Sequence, residues 1–402
     1  MTFKREDFND LMFPTYVPMD MVIRSAHGVD VKDNEGRHYL DLTAGIAVLC
    51  LGHTPKGVQK IIAKQSRKLL HCSNIFANES TLGLASKLLP RAGFERVFFV
   101  NSGTEANEAA LKLARRVAFD EYGAEKNEII AFNHSFHGRT FFSVCVAGQD
   151  QYSDGFGPKP GAITHLAYND IEALKQHISD KTCAVILEPV QGEGGIIPAD
   201  PDFIEAVRAL CDEHKALLIF DEVQTGIGRC GTFLCCEQYG VKPDIVTVAK
   251  GLGAGLPIGA VMTSARVAAH FSPGTHGSTF GGNPLACAVA QHVVDKVGDE
   301  AFLAKVREKG AFFASELLKL GKEHGIITSV RGRGLLIGAE LAVEFKPRAA
   351  EIQKLCFKHG LLILLAGHDV LRFAPALNIS MRKLALGLEI LDEVFCELKA
   401  AS

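Results

Sequence analysis

Short apolar runs without polar alternation recur through the middle of the chain: VFFV at 97–100, EIIAF at 128–132, CAVIL at 183–187, LLIF at 217–220 and IVTVA at 245–249. Runs of this length read as strands buried on both faces, the signature of a parallel sheet covered by helices. Between them the period changes. Ala106, Ala109, Ala110, Leu113, Ala114 and Val117 repeat at helical spacing, and Glu105 and Glu108 precede Lys112, Arg115 and Arg116 in the order that suits the helix dipole. DFIEAVRALCDEHK at 202–215 predicts a second amphipathic helix, capped by Asp202, with Ile204, Val207, Leu210 and Cys211 on one face. Flanked by the strands at 183–190 and 217–221, it completes a βαβ unit with parallel strands and a right-handed crossover. GLGAGLPIGAV at 251–261 reads as a flexible turn with exposed backbone.

The ends of the chain differ from this middle. VDVKDNEGRHYLDL at 29–42 predicts strand, turn at Asn34 to Gly36, and strand. After about residue 285, helices alternate with short strands such as TSVRGRGLLIGAEL, GLLILLA and VLRFAPALNIS, the pattern of an α+β unit. The expected organisation is α/β: an arm at 1–45 joining a small domain, a large domain at 46–284, and the small domain proper at 285–402, without internal repeats.

Composition narrows the function. With 402 residues and 47% hydrophobic content the chain can bury a large core, and a formal charge of −3 supplies no basic surface for nucleic acid. The charged start MTFKREDFND lacks an apolar signal core, and no apolar run is long enough to span a bilayer, so the cytoplasm is expected. Eleven scattered cysteines read as reduced thiols. The cluster Cys230, Cys235 and Cys236 lacks the second half that a zinc site needs and reads as packing. His134 and His137, with no helical carboxylate beside them, are not expected to hold a metal either.

Candidate chemistry lies at Asp221 and Lys250, each of which ends an apolar run. Ligands of an open parallel sheet sit beyond the carboxyl ends of its strands, where these two side chains can face one cofactor. A buried lysine loses proton affinity, and its neutral amine can form a Schiff base with a carbonyl. An aspartate can hold a proton on a heterocyclic nitrogen and turn the ring into an electron sink. Ser102, Gly103 and Thr104 start the first helix and suit a phosphate dianion, although Ser102 with Glu105 also reads as an ordinary capping box. Glu188 ends a strand, and Glu193 follows in a glycine-rich loop. The glycines after Lys250 lack the GxxxxGK order of a nucleotide loop.

The succession SGTEAN, DEVQTG, GVKPDIVTVAKGLGAGLPIGA and HGSTFGGNP resembles the class III pyridoxal-phosphate aminotransferases, the subgroup containing the acetylornithine, ornithine and 4-aminobutyrate enzymes. The resemblance runs from Tyr16 nearly to the end. It implies a fold type I transferase, with a large, mostly parallel central sheet domain and a smaller α+β domain, pyridoxal 5'-phosphate as cofactor, and a homodimer. It makes Lys250 the Schiff-base lysine and Asp221 the partner of the pyridine nitrogen. Gln224 then approaches the ring hydroxyl, Val223 packs on a ring face, Phe136 stacks on the ring, and His137 joins the cofactor set. Ser102, Gly103 and Thr104 become the phosphate cup, and Thr279 reaches the phosphate of the neighbouring subunit. Arg139 grips a substrate carboxylate, Arg372 pairs with Glu193, and Tyr16 with Pro18 lines the substrate entrance.

Segments such as GIAVLCLGH, HCSNIFANES, NEAALKLAR and RGRGLLIGAEL look most like the acetylornithine branch. The implied reaction moves the terminal amino group of N-acetylornithine to 2-oxoglutarate, giving N-acetylglutamate semialdehyde and glutamate for arginine biosynthesis. Succinylornithine, ornithine or 4-aminobutyrate are alternative donors. An aminomutase or decarboxylase on the same scaffold, or a non-catalytic relative, is the alternative class. Three places depart from the family pattern: Thr54 before Pro55, which implies an altered helix start, Ala376 near Arg372, and the loop FLCCEQYG with Cys235 and Cys236.

Overall fold

The computed structural model describes residues 3–400; positions 1, 2, 401 and 402, which the arm and the C-terminal domain were read to include, lie outside the described residues. The five apolar runs join Gly259–Thr263 and Ile163–Leu166 in one seven-stranded sheet, in the spatial order Arg96–Val100, Gly259–Thr263, Ile245–Val248, Leu217–Asp221, Thr182–Leu187, Glu128–Phe132, Ile163–Leu166. Gly259–Thr263 runs antiparallel to both neighbours, and the other pairings are parallel. Alternate residues of each strand feed two separate cores. Val185, Leu187, Leu218, Phe220, Val246 and Val248 point to one side, and Ala184, Ile186, Leu217, Ile219 and Ile245 to the other. That double burial is why these runs show no polar alternation.

The helix Gly103–Tyr122 covers the second side with Ala106, Ala109, Ala110, Leu113, Ala114 and Val117, small residues that let it lie close on the strands. Thr182–Leu187, the helix Pro201–Glu213 and Leu217–Asp221 form the expected parallel unit. Its cap differs from expectation: the helix begins two residues earlier, with Asp200 at the N-cap and Pro201 at its first position, and Asp202 lies inside the first turn. Proline fits there because its missing N–H would have had no helical partner.

The glycine-rich segment after Lys250 is not an exposed flexible turn. Gly251, Leu252 and Gly253 are buried in a 3-10 turn, and Gly259–Thr263 enters the sheet as its antiparallel strand. A Cβ on Gly259 would lie 2.6 Å from the carbonyl oxygen of Ser102, so glycine here is what lets the strand pass against the start of the Gly103–Tyr122 helix.

Two four-stranded sheets flank this body. Ile23–His27, Asp30–Asp33 and His38–Asp41 form an antiparallel unit that pairs with Leu361–Leu362 in parallel. Ile327–Arg333, Leu336–Leu341, Val370–Phe373 and Leu364–Ala366 form an antiparallel sheet carrying Arg372. At the altered helix start, Thr54 takes a left-handed conformation, its hydroxyl donates to the Ala26 carbonyl at 3.0 Å, and Pro55 precedes the helix Lys56–Ser66.

Candidate active site

Because Thr182–Leu187, Leu217–Asp221 and Ile245–Val248 are parallel and in register, their carboxyl ends deliver Glu188, Asp221 and Lys250 to one edge of the sheet. Asp221 is buried and fully engaged. Its Oδ2 accepts from the Asn107 amide at 2.7 Å and from His137 Nδ1 at 2.8 Å, and its Oδ1 accepts from the Val223 N–H at 3.0 Å. Asn107 Nδ2 also donates to the His137 carbonyl at 2.8 Å, and Asn107 Oδ1 accepts from the Thr247 hydroxyl at 2.7 Å. A carboxylate with this many donors is held in one orientation, as a partner for a ring nitrogen must be.

Lys250 sits where the chain leaves its strand, with φ of 41°, a left-handed conformation that a non-glycine residue adopts at a cost. Burial lowers its pKa, with Arg372 acting in the same direction and Glu193, Asp221 and Glu188 opposing. A larger neutral fraction of the amine is the state that attacks carbonyls.

Glu193 faces Lys250 and is ion-paired to the buried Arg372. Burial would raise the Glu193 pKa, but the charge and hydrogen bond of Arg372 outweigh it, and the carboxyl titrates below its ordinary range. Gln224 joins this pair, donating to Glu193 at 3.3 Å and accepting from Arg372 at 3.4 Å. Glu188 accepts from the backbone N–H groups of Phe136 and Gly192, and burial pushes its pKa up to about 7 against the attraction of His137.

At the start of the long helix, Ser102 Oγ accepts from the Glu105 N–H at 3.3 Å, while the Glu105 carboxylate turns to the Asn101 N–H at 2.8 Å rather than back to Ser102. Half a capping box is therefore present. The Thr104 hydroxyl is tied to Thr140 and Ser143, at 2.8 and 2.7 Å. The first-turn amides of Gly103 and Thr104 have no helical carbonyl to serve and offer the positive helix end to an anion. A Cβ on Gly103 would lie 2.5 Å from a Val223 methyl, so the helix start and Val223 form adjoining walls of one narrow cradle.

Phe136 packs edge-on to Tyr152, with centroids 5.9 Å apart, and the exposed Arg139 guanidinium lies over the Tyr152 ring at 3.7 Å. Tyr16 and Thr279 are exposed, with Tyr16 at 75%, and neither is hydrogen-bonded to this cluster. Ser278, next to Thr279, accepts from Asn101 at 3.2 Å, which holds that loop beside the helix start. The sequence reading did not single out Asn107, Tyr152 or Glu222. Asn107 could have been found as the polar residue on the apolar face of its helix. Glu222 is buried with its pKa pushed up to about 7, and its carboxylate accepts from the N–H groups of Cys235 and Cys236.

The geometry has counterparts among known proteins. Residues 12–395 match the family described as Aminotransferase class-III. The chain belongs to the class III aminotransferases. It is 53% identical to an acetylornithine aminotransferase of Vibrio vulnificus, over 99% of each chain. A succinylornithine transaminase/acetylornithine aminotransferase of Pseudomonas aeruginosa is 50% identical, covering 98% of this chain and 97% of that one. Among solved structures, an N-acetylornithine aminotransferase from Stenotrophomonas maltophilia superposes with a TM-score of 0.86 at 39% identity, over 96% of this chain and 98% of that one.

As a class III aminotransferase the protein is pyridoxal-phosphate-dependent. The residues present fit that cofactor: unserved helix amides for a phosphate, an oriented carboxylate for a ring nitrogen, and a lysine of reduced proton affinity for an aldehyde. When bound, pyridoxal phosphate supplies a carbonyl that condenses with amines and a ring that accepts electrons from the donor carbon. Among the described residues, no helix is long and apolar enough to cross a membrane.

Proposed function

We propose that this aminotransferase moves the terminal amino group of N-acetylornithine to 2-oxoglutarate, yielding N-acetylglutamate semialdehyde and glutamate, as a cytoplasmic homodimer serving arginine biosynthesis. The observation that carries the reading is the Glu193–Arg372 pair beside Lys250. With Glu193 seated on it, Arg372 cannot take the α-carboxylate of an ordinary amino acid. The donor's carboxylate goes instead to the fork of Arg139, and its far-end amine is the one that meets the site. Lys250 Nζ would take the proton from the donor's terminal carbon and pass it to the carbonyl-derived carbon that the cofactor supplies. Asp221, immobilised by Asn107 and His137, holds the proton on the ring nitrogen. When 2-oxoglutarate binds, its α-carboxylate displaces Glu193 from Arg372 and its second carboxylate occupies Arg139. Breaking the buried pair is offset only by an incoming carboxylate, which makes it a selective gate.

Within this reading Ser102, Gly103 and Thr104 hold the phosphate, Val223 and Phe136 border the ring, Gln224 lies near its hydroxyl, and Tyr16 lines the entrance. Thr279 reaches the phosphate of the second subunit. An exposed apolar surface supports that dimer: Ile75 at 85%, Phe76 at 66% and Phe280 at 61% lie around the loop of Thr279, where Asn74 donates to the carbonyls of Ser278 and Gly281. The names of the relatives favour an acylated ornithine, and the Pseudomonas relative carries both acyl groups in its name.

The test is the visible absorption of the cofactor during single half-reactions with N-acetylornithine, N-succinylornithine, ornithine and 4-aminobutyrate. The band should bleach fastest with N-acetylornithine and recover on adding 2-oxoglutarate. Faster bleaching with N-succinylornithine would reassign the donor. A band that no donor bleaches would overturn transamination and favour mutase or decarboxylase chemistry.

A further inference from the structure

The helices Glu300–His324 and Met381–Ala400 pack together in the C-terminal part of the chain, and neither contributes to the site described above. His324 occupies the last turn of the first, ahead of Gly325, whose left-handed conformation ends it. Asp392 and Cys396 are four residues apart on the second helix, so their side chains share one face. The fold brings the three together: one donor atom each from His324, Asp392 and Cys396 lie within 4.8 Å of one another, and His324 Nε2 is 2.6 Å from Asp392 Oδ1. The imidazole ring is also braced edge-on by Phe395, with centroids 5.7 Å apart.

Imidazole, carboxylate and thiol are the three ligand types of tetrahedral zinc sites, with metal–ligand distances of about 2.0–2.3 Å. Such distances set neighbouring donor atoms roughly 3.3–3.8 Å apart, so these three need shift by only about an ångström to converge on one ion. A histidine–aspartate pair at a helix end is common by itself, and the last turn of a helix favours a cationic imidazole. The third group departs from that arrangement. Cys396 is exposed, whereas nine of the other ten cysteines are buried and Cys72 is half-buried. A thiol with an imidazole selects zinc-like ions over magnesium or calcium.

We propose that His324, Asp392 and Cys396 form a surface site for a divalent ion of the zinc class, with water as fourth ligand, clamping the end of one helix to the face of the other. On binding, the Cys396 thiol gives up its proton to solvent and the thiolate joins the ion, while Asp392 exchanges its hydrogen bond with His324 for a metal bond. The experiment is a cobalt(II) titration of the cofactor-loaded enzyme, read in the visible region, alongside Cys396→Ser and His324→Asn. The wild type should take up one ion per chain with the strong band of tetrahedral, thiolate-bound cobalt. The band should vanish in both variants, and zinc should raise the thermal midpoint of the wild type but not of Cys396→Ser, whose exposed serine leaves the fold intact. No tetrahedral band in the wild type, or one that persists in Cys396→Ser, would overturn the proposal and leave a simple histidine–aspartate pair.

Discussion

One carboxamide, that of Asn107, serves Asp221, the His137 carbonyl and Thr247 together, and so couples helix, loop and strand at a buried point. Asn107→Ala should remove two donated bonds and one accepted bond, costing roughly 2–4 kcal/mol by the usual penalty for buried groups left unpaired. A lowered thermal midpoint with faster cofactor loss on dialysis would be the expected result, and an unchanged midpoint would refute this account of Asp221. Lys250→Ala should abolish the borohydride-reducible cofactor adduct; mass spectrometry finding that adduct at another lysine would reject Lys250. For Arg139→Lys, losing the planar fork should cost about 1.5–3 kcal/mol, seen as a ten- to hundredfold rise in donor KM. Asp221 and Lys250 were legible in sequence because each interrupts an apolar run. Asn107 shows in sequence only as a polar residue on an apolar helix face, because Asp221 and Thr247 reach it from far along the chain, and Tyr152 meets Phe136 and Arg139 only through packing.

The 3-10 turn Cys235–Gln238 owes its position to Glu222, which collects backbone N–H groups from Cys235 and Cys236 and the Thr225 hydroxyl. The departure of this loop from the family pattern thus rests on backbone N–H groups, with the Cys236 thiol adding a hydrogen bond to the same carboxylate. Burial raises the Glu222 pKa to about 7, so between the unfolded value of about 4.3 and about 7 the folded protein binds more protons than the unfolded one. This group's contribution to stability therefore falls as pH rises across that window, by about 4 kcal/mol in total. Glu222→Gln cannot ionise, and its thermal midpoint should decline less than that of the wild type between pH 5 and pH 8; parallel declines would reject the assignment. At this scale the five strands of the apolar runs and the long helix could be read from local pattern alone. The antiparallel strand Gly259–Thr263 could not: its glycine at position 259 answers to the Ser102 carbonyl, a contact invisible to local pattern.

At the scale of the molecule, the apolar surface around Thr279 bears on assembly. Ile75→Asp should shift the protein toward monomer in sedimentation, and the monomer should hold cofactor less tightly if, as proposed, each Thr279 acts on the other subunit's site. Cofactor retention equal to the wild type in a proven monomer would dismiss that role. Charge balance and apolar content announced a large core and small-molecule chemistry, but one chain's sequence pattern could not announce which surfaces meet.

Sheet order carries a consequence for the growing chain. Arg96–Val100, which launches the helix that starts with Gly103, stands at the sheet edge with Gly259–Thr263 as its only strand neighbour among the described residues. A ribosome must therefore make the Lys250 segment and the strand after it before the first of these strands has a place to dock. On the proposed assignment, early emergence of SGTEAN gives no early phosphate cup, and the nascent enzyme cannot capture its cofactor until Lys250 has already been made.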